Sequence, residues 1–290
     1  MDTVLPRQQG RPPVIHEAMR YTALSGGKRL RPALVILAYE SAGRTDRKAD
    51  PVAAALEMVH AFSLIHDDLP CMDDDDIRRG QPSNHIKYGE GVAVLAGDAL
   101  LTRAFRVVAA RRDGRALGPA VAARLVEELA AATGSQGVIG GQVLDLLAEG
   151  RKLPKAGVEF IHRHKTAVLF AAALRLGAIA GDASPALLRR LTDFGDAVGV
   201  AFQIVDDILG EAGSAGILGR DPGGDRARGK ATYPGVVGMA ASHRAVDRLL
   251  RKAGEACSRV PGRAEVYRGF LAAVDRRRRD AQGGLLGDRS

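Results

Sequence analysis

Long apolar stretches rich in alanine and leucine, separated by glycine and proline, make up most of this sequence of 290 residues. Alanine and leucine favour helices, whereas the β-branched and aromatic residues that favour strands are less frequent in these stretches. Apolar residues recur at helical spacing, for example in 50–68, 91–110, 157–181, 185–210 and 233–254. The pattern therefore predicts an all-α protein whose helices bury their apolar faces.

The sequence shows no linker that would divide it into separate domains. Hydrophobic residues make up 46% of the chain, which is enough for a sizeable core. We expect a single domain over 1–290, a helical bundle around a central cavity, with loose ends at 1–13 and 279–290. A glycine-rich segment at 210–229 is predicted to be a surface loop.

Cysteine content and hydropathy indicate where the chain resides. Cys71 and Cys257 give no disulfide framework, which is typical of a reducing compartment. No apolar run reaches eighteen residues, and the N-terminus lacks the layout of a signal peptide. We expect a cytoplasmic protein without stable membrane insertion.

The net charge of +8 raises the hypothesis of nucleic-acid binding, but the distribution of the charges disfavours it. Basic residues are scattered along the chain, and only Arg276 to Arg279 form a run. A basic balance also suits a small anionic substrate that is attracted electrostatically to its site. We therefore expect no nucleic-acid partner.

The stretch from His66 to Gly80 contains the most informative group of charged residues. Six aspartates and two arginines fall within it, directly after an apolar helical pattern. Aspartates at such spacing repel one another unless cations bind them or water surrounds them. Carboxylate oxygens suit Mg²⁺, and the paired arginines suit phosphate oxygens. The stretch predicts a site for a Mg²⁺-bound diphosphate, with a solvated acidic surface as the alternative.

A second acidic pair, Asp206 and Asp207, lies near the end of another apolar stretch. Both acidic groups are predicted close to helix C-termini, where the helix dipole already places negative charge. A bound divalent cation would offset that unfavourable placement. The occurrence of two such groups favours metal binding over solvation.

Basic residues at a glycine-containing turn form a third candidate group. The segment 26–32 reads GGKRLRP and places Lys28 and Arg31 where a helix is predicted to begin, a favourable position for a phosphate. A solvated basic turn is the alternative. His60 lies two helical turns before Asp67 and is predicted on the same helix face.

Six motifs follow one another along the chain: GGKRLRP, LIHDDLPCMDDDDIRRG, GGQVLD, HKT, FQIVDD and GKATYP. Together they resemble the trans-isoprenyl diphosphate synthases, also called polyprenyl synthetases, from about Ile15 to about Asp275. The four residues LPCM within the first acidic motif are similar to the bacterial and plant short-chain branch. The resemblance implies an all-α homodimer that condenses isopentenyl diphosphate with allylic diphosphates such as dimethylallyl and geranyl diphosphate.

The resemblance also implies roles for individual residues. It implies three Mg²⁺ ions, two held by Asp67 and Asp73 and one by Asp206, with Asp68 and Asp207 as further metal ligands of the two acidic pairs. The residues implied to bind the allylic diphosphate are Arg78, Lys165, Arg220 and Lys230. Those implied to bind isopentenyl diphosphate are Lys28, Arg31, His60 and Arg79. Thr166 and Gln203 are implied to line the reacting centre.

Product length is expected to depend on Phe62 and Ser63. On a helix, Phe62 would lie roughly 7.5 Å from Asp67 along the axis. By resemblance, an aromatic residue followed by serine is similar to the bacterial farnesyl type, whereas geranylgeranyl types carry something smaller. The sequence thus favours farnesyl diphosphate, with geranylgeranyl diphosphate as the alternative. A purely structural core role is the alternative for Phe62.

Two departures from the family pattern motivate other hypotheses. Gly210 stands where the second motif ends in aspartate, and Arg220 stands where lysine is usual. The missing carboxylate leads to a second hypothesis, a weakly active or regulatory subunit of a heteromeric synthase. A class I terpene cyclase is a third, disfavoured because its N-x-x-x-S-x-x-x-E type of motif is not found and the basic turn is present.

Overall fold

A computed structural model describes residues 1–8, 10–110, 117–211 and 229–287, with side chains described as far as residue 280. Within these residues the regular secondary structure is helical apart from one short hairpin, whose strands are β1 (Ile77–Arg78) and β2 (Gln81–Pro82). Up to residue 133 the helices are α1 (Pro13–Leu24), α2 (Leu30–Ser41), α3 (Asp50–Asp67), α4 (Asn84–Tyr88), α5 (Glu90–Ala109) and α6 (Pro119–Thr133). They are followed by α7 (Val138–Ala148), α8 (Lys155–Ile161), a π-helix (His162–Ala167), α9 (Val168–Ala180), α10 (Pro185–Glu211), α11 (Tyr233–Val237), α12 (Met239–Cys257) and α13 (Ala264–Gly287).

The chain divides into two compact units. The first comprises residues 1–130 and 176–183, and the second comprises residues 131–175 and 184–290. In the first unit α3 packs against α1, α2 and α5, and its Leu56, Met58 and Ile65 are fully buried. Helix α3 begins at an Asp-Pro pair, because proline suits a first helical turn, and it ends three residues before Pro70.

In the second unit α10 packs against the π-helix, α12 and α13. Gly199 allows a close approach between α10 and the π-helix, because a Cβ atom there would lie 2.5 Å from the Cα of Ala167. Phe194 of α10 is fully buried and meets Tyr267 edge-to-face, with ring centroids 5.0 Å apart. This packing holds the π-helix against the part of α10 that contains Gln203.

The helical architecture confirms the predicted fold class, and most predicted helices agree with the structure to within a few residues. The predicted helix 157–181 is divided by the π-helix, which hydrophobic spacing does not reveal. The predicted helix from Tyr233 to Gly254 is interrupted at Gly238, whose φ of 83° ends α11. The hairpin and α4 were not predicted from the sequence pattern.

The single domain and the loose ends stay predictions, although Leu5 near the N-terminus is only 5% exposed and Arg103 donates to the carbonyl of Val4 at 2.8 Å. Among the described helices, none combines the length and the apolar character needed to cross a membrane.

Candidate active site

The first acidic stretch starts at the last residue of α3 and turns back on itself. The backbone N–H of Asp73 donates to the carbonyl of Asp67 at 2.8 Å, and the N–H of Asp75 donates to the carbonyl of Asp68 at 3.2 Å. These bonds bring Asp73 next to Asp67 although six positions separate them in sequence. The Asp73 side chain is buried, whereas Asp67 is partly exposed. The stretch thus places two predicted metal ligands together.

Asp68 has a different environment from Asp67, because it is buried against Arg78. Its Oδ1 accepts hydrogen bonds from Arg78 Nε, at 2.7 Å, and from Nη2, and the same Nη2 donates to Asp75 Oδ2 at 2.7 Å. Burial raises the pKa of Asp68 to about 6, although the charge of Arg78 and its hydrogen bonds oppose this rise. Asp68 therefore holds Arg78 in place, and its predicted metal role stays a prediction.

The hairpin separates the side chains of the two neighbouring arginines. Arg79 and Gly80 form its turn with φ values of 56° and 76°, as in a type I′ turn. Arg78 precedes the turn and reaches Asp68, whereas Arg79 donates through Nη1 to Ser25 Oγ at 3.2 Å. The sequence prediction that they serve two different diphosphates is compatible with these different surroundings.

Three residues predicted to bind isopentenyl diphosphate lie close together. His60 Nε2 is 3.2 Å from Arg31 Nη1 and 3.5 Å from Arg79 Nη2. Burial, followed by the charges of Arg31 and Arg79, lowers the pKa of His60 well below its ordinary value. His60 is therefore neutral near pH 7, and the positive charge comes from the arginines. Lys28, the fourth predicted residue, is exposed on the same basic turn.

The residues predicted from the sequence do not include the carboxylate that supports the basic turn. Glu57 of α3 is 2% exposed and forms an ion pair with Arg29, whose guanidinium also donates to the carbonyl of Ser25. Arg29 has a φ of 49°, which turns the chain into α2. The available signal was a single glutamate within the apolar segment 52–59 of the helix, three residues before His60.

Phe62 and Ser63 lie on the last turns of α3, as predicted. Phe62 is 5% exposed and meets His66 edge-to-face, with ring centroids 4.9 Å apart. His66 occupies space left by Gly97 of α5, where a Cβ atom would come within 2.2 Å of its Nε2. Ser63 Oγ donates to the carbonyl of His60 at 2.9 Å. Phe62 is thus a bulky, buried side chain at the position expected to limit product length.

In the second unit, two predicted lysines share one carboxylate. Lys165 Nζ lies 2.6 Å and Lys230 Nζ lies 3.6 Å from Asp145 Oδ2 on α7. Gly141 lets α7 approach, because a Cβ atom there would lie 2.4 Å from the backbone nitrogen of Lys165. The GGQVLD and HKT motifs are therefore in direct contact, and Asp145 orients both ammonium groups.

A hydrogen-bonded chain fixes the residues predicted to line the reacting centre. Thr166 Oγ1 donates to Gln203 Oε1 at 2.7 Å, and Gln203 Nε2 donates to Asp207 Oδ1 at 3.1 Å. Asp207 Oδ2 accepts from the Tyr233 N–H at 2.8 Å and lies 3.1 Å from His162 Nε2. Asp207 is therefore surrounded by protein donors. It orients the Gln203 amide, which in turn orients the Thr166 hydroxyl. Its predicted metal role stays a prediction.

Asp206 lies one residue before Asp207 but contacts a different element. Its Oδ1 lies 3.0 Å from Nη1 of Arg277, which belongs to α13. At Gly210, one turn after Asp206, an added Cβ atom would meet nothing within 4 Å. The position of the missing aspartate therefore has room for a side chain.

The carboxylates fit the predicted ion chemically. Asp67, Asp73 and Asp206 offer hard oxygen ligands of the kind that Mg²⁺ takes together with water and phosphate oxygens. Asp74, Asp76 and His85 form another group with ligand atoms within 4.8 Å of one another.

Arg220, predicted to bind the allylic diphosphate, lies outside the described residues.

Comparisons with known proteins agree with the fold and the motifs. The family described as Polyprenyl synthetase matches residues 12–265. The large subunit 1 of a heterodimeric geranylgeranyl pyrophosphate synthase from Arabidopsis thaliana is 47% identical, with 87% of this chain and 68% of that protein covered. Farnesyl diphosphate synthase from Escherichia coli is 48% identical, with 78% and 76% covered.

A solved structure supports the same assignment. The geranyltransferase from Helicobacter pylori, complexed with magnesium and isoprenyl diphosphate, has a TM-score of 0.81 at 29% identity. The alignment covers 93% of this chain and 89% of that one. Fold and motifs together define an all-α prenyltransferase.

The chain belongs to the polyprenyl synthetase family. This confirms the resemblance and the enzyme class predicted from the sequence. The family depends on Mg²⁺, and its short-chain synthases act on isopentenyl and allylic diphosphates. The residue roles, the number of ions and the product stay proposals.

Proposed function

We propose that this short-chain trans-prenyl diphosphate synthase makes farnesyl diphosphate as its main product. The observation that carries the proposal is the buried Phe62 side chain, five residues before Asp67 on α3. A bulky ring at that position would leave space for a shorter product and exclude a longer one. Geranylgeranyl diphosphate is the alternative product if the growing chain passes Phe62.

In the proposed reaction, metal ions and basic side chains balance the charge of the departing diphosphate and orient it. Three Mg²⁺ ions, when bound to Asp67, Asp73 and Asp206, would neutralise the charge that develops on the departing diphosphate. Arg78, Lys165 and Lys230 would bind that diphosphate, since each is held by a carboxylate that orients it.

The second substrate would be held by the basic turn. Lys28, Arg31 and Arg79 would bind isopentenyl diphosphate, with neutral His60 between the two arginines. The isopentenyl double bond would attack the allylic carbon, and a proton would leave to the departing diphosphate. The hydrogen-bonded pair Thr166 and Gln203 would present fixed dipoles at the reacting centre.

The direct test is a condensation assay on the purified chain. Labelled isopentenyl diphosphate is supplied with dimethylallyl or geranyl diphosphate and Mg²⁺, and the products are separated by chromatography. A fifteen-carbon product supports the proposal, whereas a twenty-carbon product supports the alternative.

Replacement of Phe62 by alanine is expected to shift the main product toward twenty carbons or more. The cost in folding free energy is about 3–5 kcal/mol, typical of a buried phenylalanine, so Phe62→Leu serves as a milder second variant. Chromatography of the dephosphorylated products measures the shift, and Ser63→Ala tests the second predicted chain-length position separately. An unchanged product length in both Phe62 variants would contradict the chain-length role.

We also propose a homodimer, and Gly210 motivates the alternative of a subunit that needs a different partner. One relative is named as a subunit of a heterodimeric synthase. Activity without a different partner is supported by the complete first acidic motif and the organised Lys165–Asp145 pair. Absence of prenyl product from the purified chain, together with activity on adding a second synthase subunit, would favour the alternative.

Replacement of Gly210 by aspartate is expected to lower the Mg²⁺ concentration needed for half-maximal activity by about two- to tenfold. The added carboxylate would share a helix face with Asp206, and the space beside Gly210 accommodates it. A Mg²⁺ titration of the initial rate checks this, with Gly210→Asn as an uncharged control of similar size. Superimposable titrations of the aspartate variant and the wild type would contradict the expectation.

A further inference from the structure

The basic run Arg276–Arg279 is not explained by the proposed reaction, and its members have different environments. Arg276 is exposed, and Arg279 pairs with Asp275 of its own helix at 2.9 Å. Arg278 donates to the carbonyl of His243 at 3.1 Å. Arg277 instead reaches the proposed metal ligand Asp206, with 3.0 Å between Nη1 and Oδ1. The run thus contains one residue that contacts the proposed site.

Arg277 is held in position by a second contact on the same face of α10. Its guanidinium carbon lies 4.9 Å from the ring centroid of Phe202, which precedes Asp206 by one helical turn. The Phe202 ring in turn packs against Phe170, with centroids 5.2 Å apart. The side chains of Arg277 and Asp206 are 14% and 22% exposed. The pair is therefore more ordered and less screened than a surface ion pair.

A guanidinium and a divalent cation compete for the same carboxylate oxygen. The aspartate that could strengthen metal binding is replaced by Gly210, and Asp207 is directed toward Gln203, Tyr233 and His162. An ion held by few carboxylates gives up its hydration reluctantly, but diphosphate oxygens supply additional ligands. Mg²⁺ alone is therefore a weak competitor of Arg277, whereas Mg²⁺ with diphosphate is a strong one.

We propose that Arg277 occupies Asp206 in the absence of diphosphate and is displaced when Mg²⁺ and diphosphate bind together. The residue makes metal binding at the second acidic pair dependent on diphosphate, and it couples that site to helix α13. This inference rests on the proposed metal role of Asp206.

The test measures binding of Mn²⁺, as a spectroscopic substitute for Mg²⁺, by electron paramagnetic resonance on the purified chain of 290 residues. An Asp67→Asn background weakens the ions held by the first acidic stretch. Without pyrophosphate, Arg277→Gln is expected to tighten Mn²⁺ binding at least about tenfold, because a positive charge near the ligand is removed. Adding inorganic pyrophosphate is expected to reduce this difference to less than about threefold.

Arg276→Gln is the matched control, since it removes the same charge from the exposed neighbouring residue. It is expected to leave Mn²⁺ affinity within about twofold of the parent. Phe202→Leu provides a second variant that keeps both charges but removes the ring beneath Arg277. It is expected to tighten Mn²⁺ binding about two- to fivefold, and thermal melting checks that each variant is folded.

Adding Asp206→Asn distinguishes failure of this inference from failure of the metal role. If that substitution leaves Mn²⁺ binding unchanged with pyrophosphate present, the proposed metal role of Asp206 is wrong. The other outcome is that Asp206→Asn abolishes Mn²⁺ binding at the second acidic pair. If Arg277→Gln and Phe202→Leu then still bind Mn²⁺ like the parent without pyrophosphate, the hypothesis that Arg277 competes with the metal for Asp206 is wrong. Hydrogen exchange of α13 provides a further readout, with faster exchange expected near Arg277 when Mg²⁺ and pyrophosphate are added together.

Discussion

Replacement of Asp67 by asparagine is expected to lower kcat by about a thousandfold, with little change in folding stability. Asp67 ends α3, and its carbonyl accepts a hydrogen bond from the N–H of Asp73, so the two residues proposed to bind metal are neighbours in the folded first stretch. A bound ion contributes several kcal/mol of charge stabilisation at the departing group, and about 1.4 kcal/mol corresponds to a factor of ten. Steady-state kinetics at saturating Mg²⁺ and thermal melting measure the two quantities.

Asp74→Asn is the matched control for this experiment. It removes the same charge from the same stretch, and asparagine tolerates the left-handed backbone at this position, where φ is 50°. We expect its kcat to stay within about threefold of wild type, because the side chain is exposed. A loss in Asp74→Asn as large as that in Asp67→Asn would mean that the total charge of the stretch, rather than ligation by Asp67, supports catalysis.

Replacement of Lys165 by glutamine is expected to reduce kcat/KM for the allylic diphosphate by about 10²–10³. This is the range typical of losing one fixed charge-stabilising donor. Lys165 lies in the π-helix and is oriented by Asp145, so its ammonium group is already in position before substrate binds. Initial rates with varied geranyl diphosphate, at constant isopentenyl diphosphate, separate the effect on KM from that on kcat.

Lys155→Gln serves as the control, because Lys155 is a half-exposed lysine of neighbouring α8 that pairs with Glu159 at 3.5 Å. Its kinetics should match wild type. Asp145→Asn should cost about tenfold, and the double variant Lys165→Gln/Asp145→Asn should lose less than the sum of the two in free energy, since one interaction is removed twice. Strict additivity would show that Asp145 does not act through Lys165.

The helical architecture and the chemical class could be predicted because both are encoded locally. Helix α3 is an example, since an Asp-Pro start, an apolar interior and a proline after the end define it within the 21 residues from Asp50 to Pro70. The motifs are equally local, because the aspartates, the arginines and the glycine turn each occupy short segments. Such signals need no knowledge of the neighbours in space.

The π-helix and the hairpin turn were not predictable from the same signals. The π-helix has the same hydrophobic spacing as the helices that flank it, and its irregularity accompanies close packing at Gly141 and Gly199. Arg79 adopts a left-handed conformation that arginine disfavours by itself, and contacts around the turn compensate. In both cases the packing of distant segments overrides the local preference.

The sequence was sufficient to identify an all-α prenyl diphosphate synthase with two acidic motifs and a basic turn, since those features depend on residue type and spacing. The different environments of neighbouring residues within each motif were apparent only from the folded chain. Asp68 is held by Arg78, Asp207 orients Gln203, and Asp206 meets Arg277, a residue 71 positions away. Neighbouring aspartates look equivalent in sequence, but a carboxylate's role depends on which charges and donors surround it in space, and helix packing brings those together.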